Sequence, residues 1–435
     1  MALSPSIRHG YGVAAFSLSL ANTAVLFFLL KFLIDHAGLS PGQAGGVLLV
    51  GKLWDAVSDP LVGRLSDRTH TAMGARRPWI LGASVPFAAL FASLWWGIGL
   101  QGSAAAAAYA VLLVLYNTAY TAVVVPYGAL TPALTTDYDE RTALNGARMG
   151  WSMLGGIVAG ICVPALQEHT GGLRVPGVVL GVLILPGLWW MVAATAGRDT
   201  DAVIEGGPPM WTVLRNRAFR RIALLFLSAW SSIAVLSSLI PFYVEHHVHR
   251  PDLLDALFAT IQISALVSVP LVVRAAERSQ KHVAYGYGMI SWGLVLCLLA
   301  GVGPGQPELV IGLAIFAGAG VAAAHVLPWA MLPDVVEADT LEQGQPRAGA
   351  FYGMMTFLEK LATAVALWAV GAGLQLAGYA EGAATQPEGA VRMIRVLLGP
   401  LPAVVLTLAG LYALARPPLT RGGHQALVAK LEGEP

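Results

Sequence analysis

The sequence predicts an all-α membrane protein with twelve transmembrane helices in two six-helix bundles and both termini on the cytoplasmic side. Three observations lead to this fold class. Of the 435 residues, 56% are hydrophobic and 12% are charged, whereas soluble domains carry charge on roughly 25% of their residues. The apolar residues gather in runs of about 20, the length that crosses a bilayer. The basic residues gather in alternate loops, the pattern that sets membrane orientation.

Twelve apolar runs approach the ~20 residues that a transmembrane helix needs. They lie near 11–34, 41–65, 78–100, 104–133, 143–166, 174–196, 219–245, 254–275, 281–302, 307–332, 348–378 and 390–415. The longest polar stretch, 197–221, leaves six runs on each side. The predicted domains are an N-terminal bundle over 1–196, a cytoplasmic linker over 197–218, a C-terminal bundle over 219–416 and a cytoplasmic tail over 417–435.

The loops on one side of the predicted membrane carry most of the positive charge. Their basic residues include Arg64, Arg68, Arg76, Arg77, Arg141, Arg148, Arg215, Arg217, Arg220, Arg221, Arg274, Arg278, Lys281, Arg416 and Arg421. The opposite loops, such as QGSA and GPGQPE, carry almost none. Because cytoplasmic loops are enriched in Lys and Arg, we expect both termini to be cytoplasmic. We also expect a multi-pass protein of the plasma membrane of a bacterium.

An internal repeat supports two related halves. VPYGALTPALTTDYDERTALNGAR closes the fourth run, and LPWAMLPDVVEADTLEQGQPRAGA closes the tenth. Both read proline, aromatic, two small or apolar residues and leucine, followed by proline and acidic residues before an arginine. The fourth and tenth helices are equivalent in folds built from two parallel six-helix halves.

Several motifs resemble those of a known family. GRLSDRTHTAMGARRPW, between the second and third runs, is similar to the signature loop of the major facilitator superfamily (MFS). YGVAAFS, KLWDAVSDPLVG, RRPW and VPYGAL resemble the glycoside–pentoside–hexuronide:cation symporter family, of the melibiose permease type. LPWAMLPDV and LAGYAEGAATQPEGAVRMI resemble the sodium-dependent lysophosphatidylcholine symporters of the same family. The resemblance implies the MFS fold and cation-coupled symport by alternating access around a central cavity.

Two carboxylates stand inside the second run. Asp55 and Asp59 are four residues apart, so they share one face of a helix. A charge at the bilayer centre costs ~2.5–3.5 kcal/mol on insertion scales, and two like charges so close repel each other. A bound cation or a shared proton relieves both penalties. The alternative is that the pair forms ion pairs with Lys or Arg that fix helix packing; Lys52, three residues before Asp55, is such a partner unless it snorkels outward.

Further oxygens surround these carboxylates. Pro60 has no N–H to give the carbonyl of Ala56, and Ser58 and Thr121 add hydroxyl groups. Oxygen-rich, partly unwound helices are how transporters handle Na⁺ or H⁺. The resemblance implies that the cation site comprises Asp55, Asp59 and Thr121, with Na⁺ held there if the coupling ion is sodium.

Lys360 is the only lysine well inside a run of the second half. The resemblance implies that it links the ion and substrate sites, since the second and eleventh helices of the superfamily face each other across the cavity. It would neutralise a carboxylate in the ion-free state, or bind a substrate phosphate. A pair with Glu359 is the remaining alternative, although adjacent helical residues do not face each other.

The substrate side of the cavity departs from the sugar-transporting members. The resemblance places a carboxylate where this chain has Ser19, a second where it has Val124, and a substrate-binding arginine near Arg148. Without those carboxylates a sugar loses charge-assisted hydrogen bonds, so we predict an amphipathic solute such as a lysophospholipid, with a glycoside as the alternative. Trp329 either stacks on the ligand or packs in the core. The other candidates for contact with a headgroup are Lys360, Gln262 and Glu245.

A last group of charges fits a gate. We predict that loop residues between the second and third runs pair with neighbouring helix ends in one gate state, with about 0–1 kcal/mol for each exposed pair. The gate candidates are Asp67, Arg68, Arg76, Arg77, Asp137, Arg141 and Asp334.

Other function classes fit poorly. A net charge of +1 gives no field for nucleic acid, and the sequence contains no Gly-rich phosphate loop of an ATP-driven pump. His325 is the only histidine in the middle of a run, and no serine motif accompanies it. A membrane enzyme or a receptor is therefore the less favoured alternative. We expect a monomer among membrane lipids, with a small-molecule or lipid-like substrate, and no cofactor besides the coupling ion, Na⁺ or H⁺.

Overall fold

A computed structural model describes residues 4–135, 138–198, 210–343 and 347–418. Within these ranges every regular element is helical, which confirms the all-α class. The α-helices are α1 (Pro5–Ala24), α2 (Pro41–Asp67), α3 (Arg77–Ser93), α4 (Gly102–Leu134), α5 (Tyr138–Thr170), α6 (Arg174–Ala194), α7 (Arg217–His246), α8 (Leu254–Arg278), α9 (Lys281–Gly301), α10 (Pro307–Gln343), α11 (Ala348–Leu376), α12 (Glu388–Leu398) and α13 (Pro400–Ala415). Two π-helical turns, Val25–Leu29 and Phe32–His36, extend α1, and 3-10 turns cover Met210–Arg215 and Pro251–Leu253.

Ten helical segments of the described ranges are long and apolar enough to cross a membrane. α12 and α13 count together as one of them, Glu388–Ala415. The helices α2 and α3 fall outside the set: α3 has 17 residues, and the middle of α2 carries Lys52, Asp55 and Asp59. The count of twelve spans therefore stays a prediction.

The last apolar run is interrupted, although the sequence predicted one uninterrupted run there. At Gly399 the backbone leaves the helical region, with φ −113° and ψ −81°. A Cβ atom at this position would approach the Cβ of Ala300 to 2.4 Å. The missing side chain thus allows the chain to lie against the end of α9 at the bend.

The described chain divides by its contacts into two compact units. Met1–Ile204 and Leu367–Thr385 form the first unit; Glu205–Ala366 and Gln386–Pro435 form the second. In the first, α1 packs against α5 and α6, α2 against α4, and α3 against α4 and α6. In the second, α8 and α9 pack against α10, and α9 also packs against α13. The pairs α2–α4 and α8–α10 thus repeat one arrangement.

The predicted bundle boundaries stay a prediction. Half of the predicted linker and most of the predicted tail lie outside the described residues, which exclude 199–209 and 419–435. The first unit, as its contacts define it, also includes the end of α11 and the loop that follows it.

Small residues allow close helix contacts in both units. A Cβ on Gly155 of α5 would lie 2.3 Å from the carbonyl oxygen of Phe16 in α1. A Cβ on Gly318 of α10 would lie 2.5 Å from the carbonyl oxygen of Ile261 in α8. Glycine is required at both crossings because membrane helices associate through close backbone packing rather than hydrophobic expulsion.

The far end of α1 is tied to the loop after α11. Lys31 Nζ lies 2.5 Å from Asp35 Oδ2, and the Tyr379 hydroxyl donates to Asp35 Oδ1 at 3.1 Å. Nearby, the backbone N–H of Gly42 donates to Gln375 Oε1 at 2.8 Å. These contacts within the first unit hold the π-helical end of α1 and the start of α2 against one segment.

The C-terminal end of α9 is capped by a side chain of α12 and by one that directly follows α7. Arg395 Nε donates to the carbonyl of Ala300 at 2.8 Å, and His247 Nε2 lies 2.7 Å from the carbonyl of Val302. Because a carbonyl only accepts, this histidine nitrogen carries the proton. Burial lowers the pKa of His247 below its usual value, and the nearby Arg395 charge lowers it further although the hydrogen bond opposes this shift.

Candidate functional site

The two carboxylates of α2 lie on the side of the helix that packs against α4. Asp55 is fully buried, with 0% of its side chain exposed, and Asp59 is half-buried one turn further along. A buried carboxylate in an apolar segment is costly unless it is paired or coordinated. The packing of α2 on α4 decides which groups can meet that need.

A row of hydroxyl groups connects α2 to α4 beside these carboxylates. Thr121 Oγ1 donates to Asp59 Oδ1 at 3.0 Å, and Ser58 Oγ lies 3.3 Å from Thr121 Oγ1. Ser58 Oγ is also 3.4 Å from the carbonyl oxygen of Asp55. Ser58 and Thr121 are both buried. The structure thereby brings together four of the five residues that the sequence predicted for a cation site.

The fifth predicted residue, Ala56, stands on the same turn. Pro60 lies inside α2, so the Ala56 carbonyl receives no helical hydrogen bond from residue 60. Carboxylate, hydroxyl and carbonyl oxygens are the ligands that hard cations prefer. The same set also suits a proton shared between oxygens, and the geometry serves Na⁺ and H⁺ alike.

Lys52 approaches the site from the preceding turn. Its Nζ lies 3.5 Å from Asp55 Oδ2, longer than the 2.7–3.2 Å typical of hydrogen bonds to nitrogen donors. Side-chain exposure is 19% for the lysine and 0% for the aspartate. Lys52 is thus directed inward as a loose ion-pair partner. With Lys52, Asp55 and Asp59 all ionised, these three side chains sum to −1, a charge that one monovalent cation balances.

Two further contacts hold α4 in register with α2. Asn117 Nδ2 donates to the Gly51 carbonyl at 2.7 Å, and Trp54 Nε1 donates to Thr118 Oγ1 at 2.8 Å. Both lie one turn before the row that ends at Asp59. Sequence reasoning missed these residues, although Asn117 precedes Thr121 by one helical turn and is a polar residue in an apolar run.

One predicted substrate residue of the first unit, Arg148, adjoins an aromatic pair. Tyr127 stacks on Tyr11 at a centroid distance of 4.6 Å, and its hydroxyl donates to the Tyr11 carbonyl at 3.0 Å. The Arg148 guanidinium lies 5.7 Å from the Tyr127 ring centroid. Ser19 and Val124 are half-buried on α1 and α4.

In the second unit the predicted residues lie among other aromatic rings. Trp329 meets Phe226 edge to face at 5.5 Å and stacks on Tyr352 at 6.2 Å. Gln262 and Lys360 are half-buried on α8 and α11. Lys360 belongs to the second unit and Asp55 to the first, so their predicted approach stays a prediction.

Two of the gate candidates, Arg77 and Asp334, have partners within their own units. Arg77 donates through Nε and Nη2 to the Val192 carbonyl at 3.0 and 2.6 Å, which caps the end of α6. Arg76 is buried, and Arg68 is exposed. In the second unit Lys281 Nζ lies 2.7 Å from Asp334. The Asp137 residue and the side chains of Asp67 and Arg141 lie outside the described residues.

A second acidic residue of α10 forms a buried ion pair that the sequence did not predict. Asp339, 2% exposed, accepts hydrogen bonds from Arg347 Nε at 2.9 Å and from Asn216 Nδ2 at 3.0 Å. Asn216 also caps the start of α7 by accepting from the Phe219 N–H. This network joins α7, α10 and α11 of the second unit and is structural in character.

Comparison with known proteins gives consistent findings. The family model described as MFS/sugar transport protein matches residues 10–421. An uncharacterized symporter of Synechocystis sp. is 30% identical over 97% of this chain and 95% of its own. Sodium-dependent lysophosphatidylcholine symporter 1 of Xenopus tropicalis is 27% identical over 90% of this chain and 83% of its own. The crystal structure of the nucleoside transporter NupG matches with TM-score 0.69 at 10% identity, over 95% of this chain and 99% of its own, a likeness of fold alone.

Proposed function

The chain belongs to the MFS/sugar transport protein family, and from that premise we propose that it is a secondary active symporter driven by a cation gradient. The curated relatives reported above are symporters, which supports transport rather than catalysis. We further propose twelve membrane-spanning helices, cytoplasmic termini, a monomer, and residence in the plasma membrane of a bacterium.

The oxygen cluster between α2 and α4 carries the proposal. Asp59, Thr121 and Ser58 form a continuous row of oxygens spaced 3.0 and 3.3 Å apart. A monovalent cation bound there offsets the charge of the carboxylates, so its binding energy is available to couple to transport. Helix packing alone does not explain why the carboxylate of Asp59 stands one turn from the buried carboxylate of Asp55.

Alternating access requires that cation and substrate favour the same state. In our proposal Lys360 neutralises a carboxylate in the ion-free protein and is displaced when Na⁺ or H⁺ arrives. The charged residues near the helix ends, among them Arg76, Arg77 and Asp334, would bias the two gate states. A partly exposed pair such as Lys281 with Asp334 is worth about 0–1 kcal/mol, a size that tunes an equilibrium without locking it.

For the substrate we propose an amphipathic organic solute such as a lysophospholipid. Ser19 and Val124 supply no carboxylate for sugar hydroxyls, while Trp329 with its aromatic neighbours offers apolar surface. A sodium-dependent lysophosphatidylcholine symporter among the relatives supports this class. Arg148, beside the Tyr127 ring, supports the alternative of a glycoside, because an arginine can bind hydroxyl groups as well as a phosphate.

Uptake into proteoliposomes tests the proposal. A labelled lysophospholipid and a labelled galactoside would be offered with and without an inward Na⁺ or H⁺ gradient, to the wild type and to Asp59→Asn. We expect lysophospholipid uptake that a gradient stimulates and that the variant loses. Galactoside uptake would overturn the substrate class, and equal uptake by wild type and variant would overturn the cation site.

A further inference from the structure

Three exposed arginines stand at the start of α7 and just before it. Arg215 ends the 3-10 turn Met210–Arg215, and Arg217 and Arg220 lie on the first turn of α7. Within the described ranges, none of these three side chains has a hydrogen bond or ion pair to another residue. The neighbouring Arg221, by contrast, donates to the Pro417 carbonyl at 2.7 Å.

Apolar side chains border these arginines on both sides. In the 3-10 turn Trp211 is 54% exposed and Leu214 is 39% exposed, and residues three apart share a face of such a turn. Val213 of the same turn is fully buried, and Trp211 meets Phe357 edge to face at 5.4 Å. The turn is therefore fixed to the second unit with one apolar face left outward.

The arginines and the first lipid-facing residue of α7 share a helical face. Arg217, Arg220 and Leu224 are spaced by three and four residues, which aligns them on one side, and Leu224 is 47% exposed. The helix then continues as an apolar span. Charge at the entrance and apolar surface one turn deeper match the boundary between headgroups and acyl chains.

We propose that this surface, formed by Trp211, Leu214, Arg215, Arg217, Arg220 and Leu224, binds an anionic phospholipid of the adjoining leaflet. The guanidinium groups of Arg217 and Arg220 would clamp the phosphodiester, since guanidinium groups match phosphate oxygens in a bidentate geometry. Trp211 and Leu214 would lie at the glycerol level, where aromatic residues are enriched. The sequence from Met210 to Val244 contains no Asp or Glu. No carboxylate of that stretch therefore repels an anionic headgroup.

The adjacent apolar residues favour a lipid over a free phosphate ion. A soluble anion gains nothing from Leu214 and Leu224, whereas an acyl chain covers both. Basic clusters next to membrane helices attract anionic lipids with a strength that grows with each added charge. Loss of two arginines is therefore expected to weaken retention roughly thirtyfold.

Native mass spectrometry of the full chain tests this site. The protein would be equilibrated with equal amounts of phosphatidylglycerol and phosphatidylcholine of the same acyl chains, and the lipids retained would be counted. We expect the wild type to retain phosphatidylglycerol preferentially, and the Arg217→Gln/Arg220→Gln variant to lose that preference. The matched control is Arg274→Gln/Arg278→Gln, which removes two exposed arginines at the end of α8 and should keep it.

Several outcomes would overturn the proposal. They are a wild type without preference, a control that loses preference as strongly, and displacement of the lipid by soluble glycerophosphate at equal concentration. An Arg217→Lys/Arg220→Lys variant guards against misfolding, because it keeps the charge and should keep part of the preference. The readout is independent of transport, so its failure leaves the proposed function untouched, and the reverse holds too.

Discussion

Tyr127 and Trp329 occupy the same place in the two sequence repeats, directly after the proline, yet they differ in chemistry. Each packs against the first helix of its own unit: Tyr127 on Tyr11 of α1, and Trp329 on Phe226 of α7. The repeat has therefore kept a position in the fold. It has not kept the polarity of the contact, because only the tyrosine pair includes a hydrogen bond, from Tyr127 to the Tyr11 carbonyl.

A further contact of the Tyr127 and Trp329 rings shows the same difference in polarity. In the first unit it is the guanidinium of Arg148 on α5, and in the second it is the ring of Tyr352 on α11. The first unit also carries Asp55 and Asp59 at the α2–α4 contact. At this one position of the repeat, the first unit thus places a charged side chain on its ring, whereas the second unit surrounds its ring with further aromatic side chains.

The largest expected effect comes from removing charge in the first unit. Asp59→Asn keeps the size of the side chain but removes the carboxylate that accepts from Thr121. Loss of a charged ligand is worth up to about 3 kcal/mol, or roughly a hundredfold. We expect gradient-stimulated uptake in proteoliposomes to fall by about that factor.

Asp252→Asn is the matched control for this change. It removes a carboxylate from an exposed pair with Arg250 in the second unit, and uptake should stay within about twofold. Equal losses in both variants would mean that the loss of uptake does not arise from the oxygen cluster between α2 and α4.

The second prediction separates hydroxyl chemistry from side-chain shape. Thr121→Val keeps the volume but removes the oxygen between Ser58 and Asp59, so cation affinity should fall about tenfold. Thr121→Ser keeps the hydroxyl and should bind nearly as the wild type. Isothermal titration calorimetry measures the Na⁺ affinity of both variants, and a pH titration measures their proton affinity. An unchanged affinity in Thr121→Val would remove this residue from the site.

The third prediction concerns the aromatic position itself. Tyr127→Phe removes the hydrogen bond to the Tyr11 carbonyl and should lower the free energy of unfolding by about 1 kcal/mol. Trp329→Leu should instead weaken substrate binding about fivefold, because aromatic contacts are worth ~0.5–1.5 kcal/mol, while Na⁺ binding stays unchanged. Thermal unfolding and ligand titration on both variants distinguish a stabilising role from a substrate-binding role. If Tyr127→Phe weakened substrate binding and Trp329→Leu lowered only the stability, the roles assigned to the two rings would be wrong.

The smallest effect is expected at the far ends of the two first helices. The extension of α1 carries the ion pair of Lys31 and Asp35, whereas α7 is followed by His247, whose pKa burial lowers. An unfolded chain therefore binds this proton at a higher pH than the folded one. The contribution of His247 is complete above about pH 6.5 and is lost as the pH falls from there towards the lowered pKa.

Melting curves between pH 7.5 and 5.5 check this pH dependence. The wild type should lose about 1–2 °C more on acidification than His247→Gln, since glutamine does not titrate. An identical slope in both proteins would show that the cap on α9 is insensitive to protonation.

Apolar runs and alternate basic loops were enough to predict helical elements, because the bilayer demands length and hydrophobicity from each span. The oxygen cluster was also predictable in composition, since Asp55, Ser58 and Asp59 lie on adjacent turns of one helix. Its contact with Thr121 depends on how α4 packs against α2. The resemblance to a known family predicted that Thr121 belongs to the site, and the sequence pattern alone did not.

Contacts between distant segments escaped prediction for a physical reason. Asp339 bonds with Asn216 across 123 positions, and no local periodicity specifies such a pair. The bend at Gly399 likewise depends on the nearness of Ala300. A glycine in an apolar run does not by itself predict that the helix is interrupted. The gate candidates were chosen because they are charged and lie in or near loops. Their charge did not identify Lys281 as the partner of Asp334.

The two π-helical turns that extend α1 have a consequence for the length of the chain during evolution. A π turn bonds i to i+5 and so accommodates one residue more than an α turn. A π turn with its extra residue sweeps nearly the same angle as the α turn that would replace it, so deleting one residue within Val25–Leu29 would restore regular helix and leave everything beyond it almost in register. Asp35 would keep its place beside Tyr379. A deletion of one residue confined to this turn should therefore be tolerated without any change in the loop after α11.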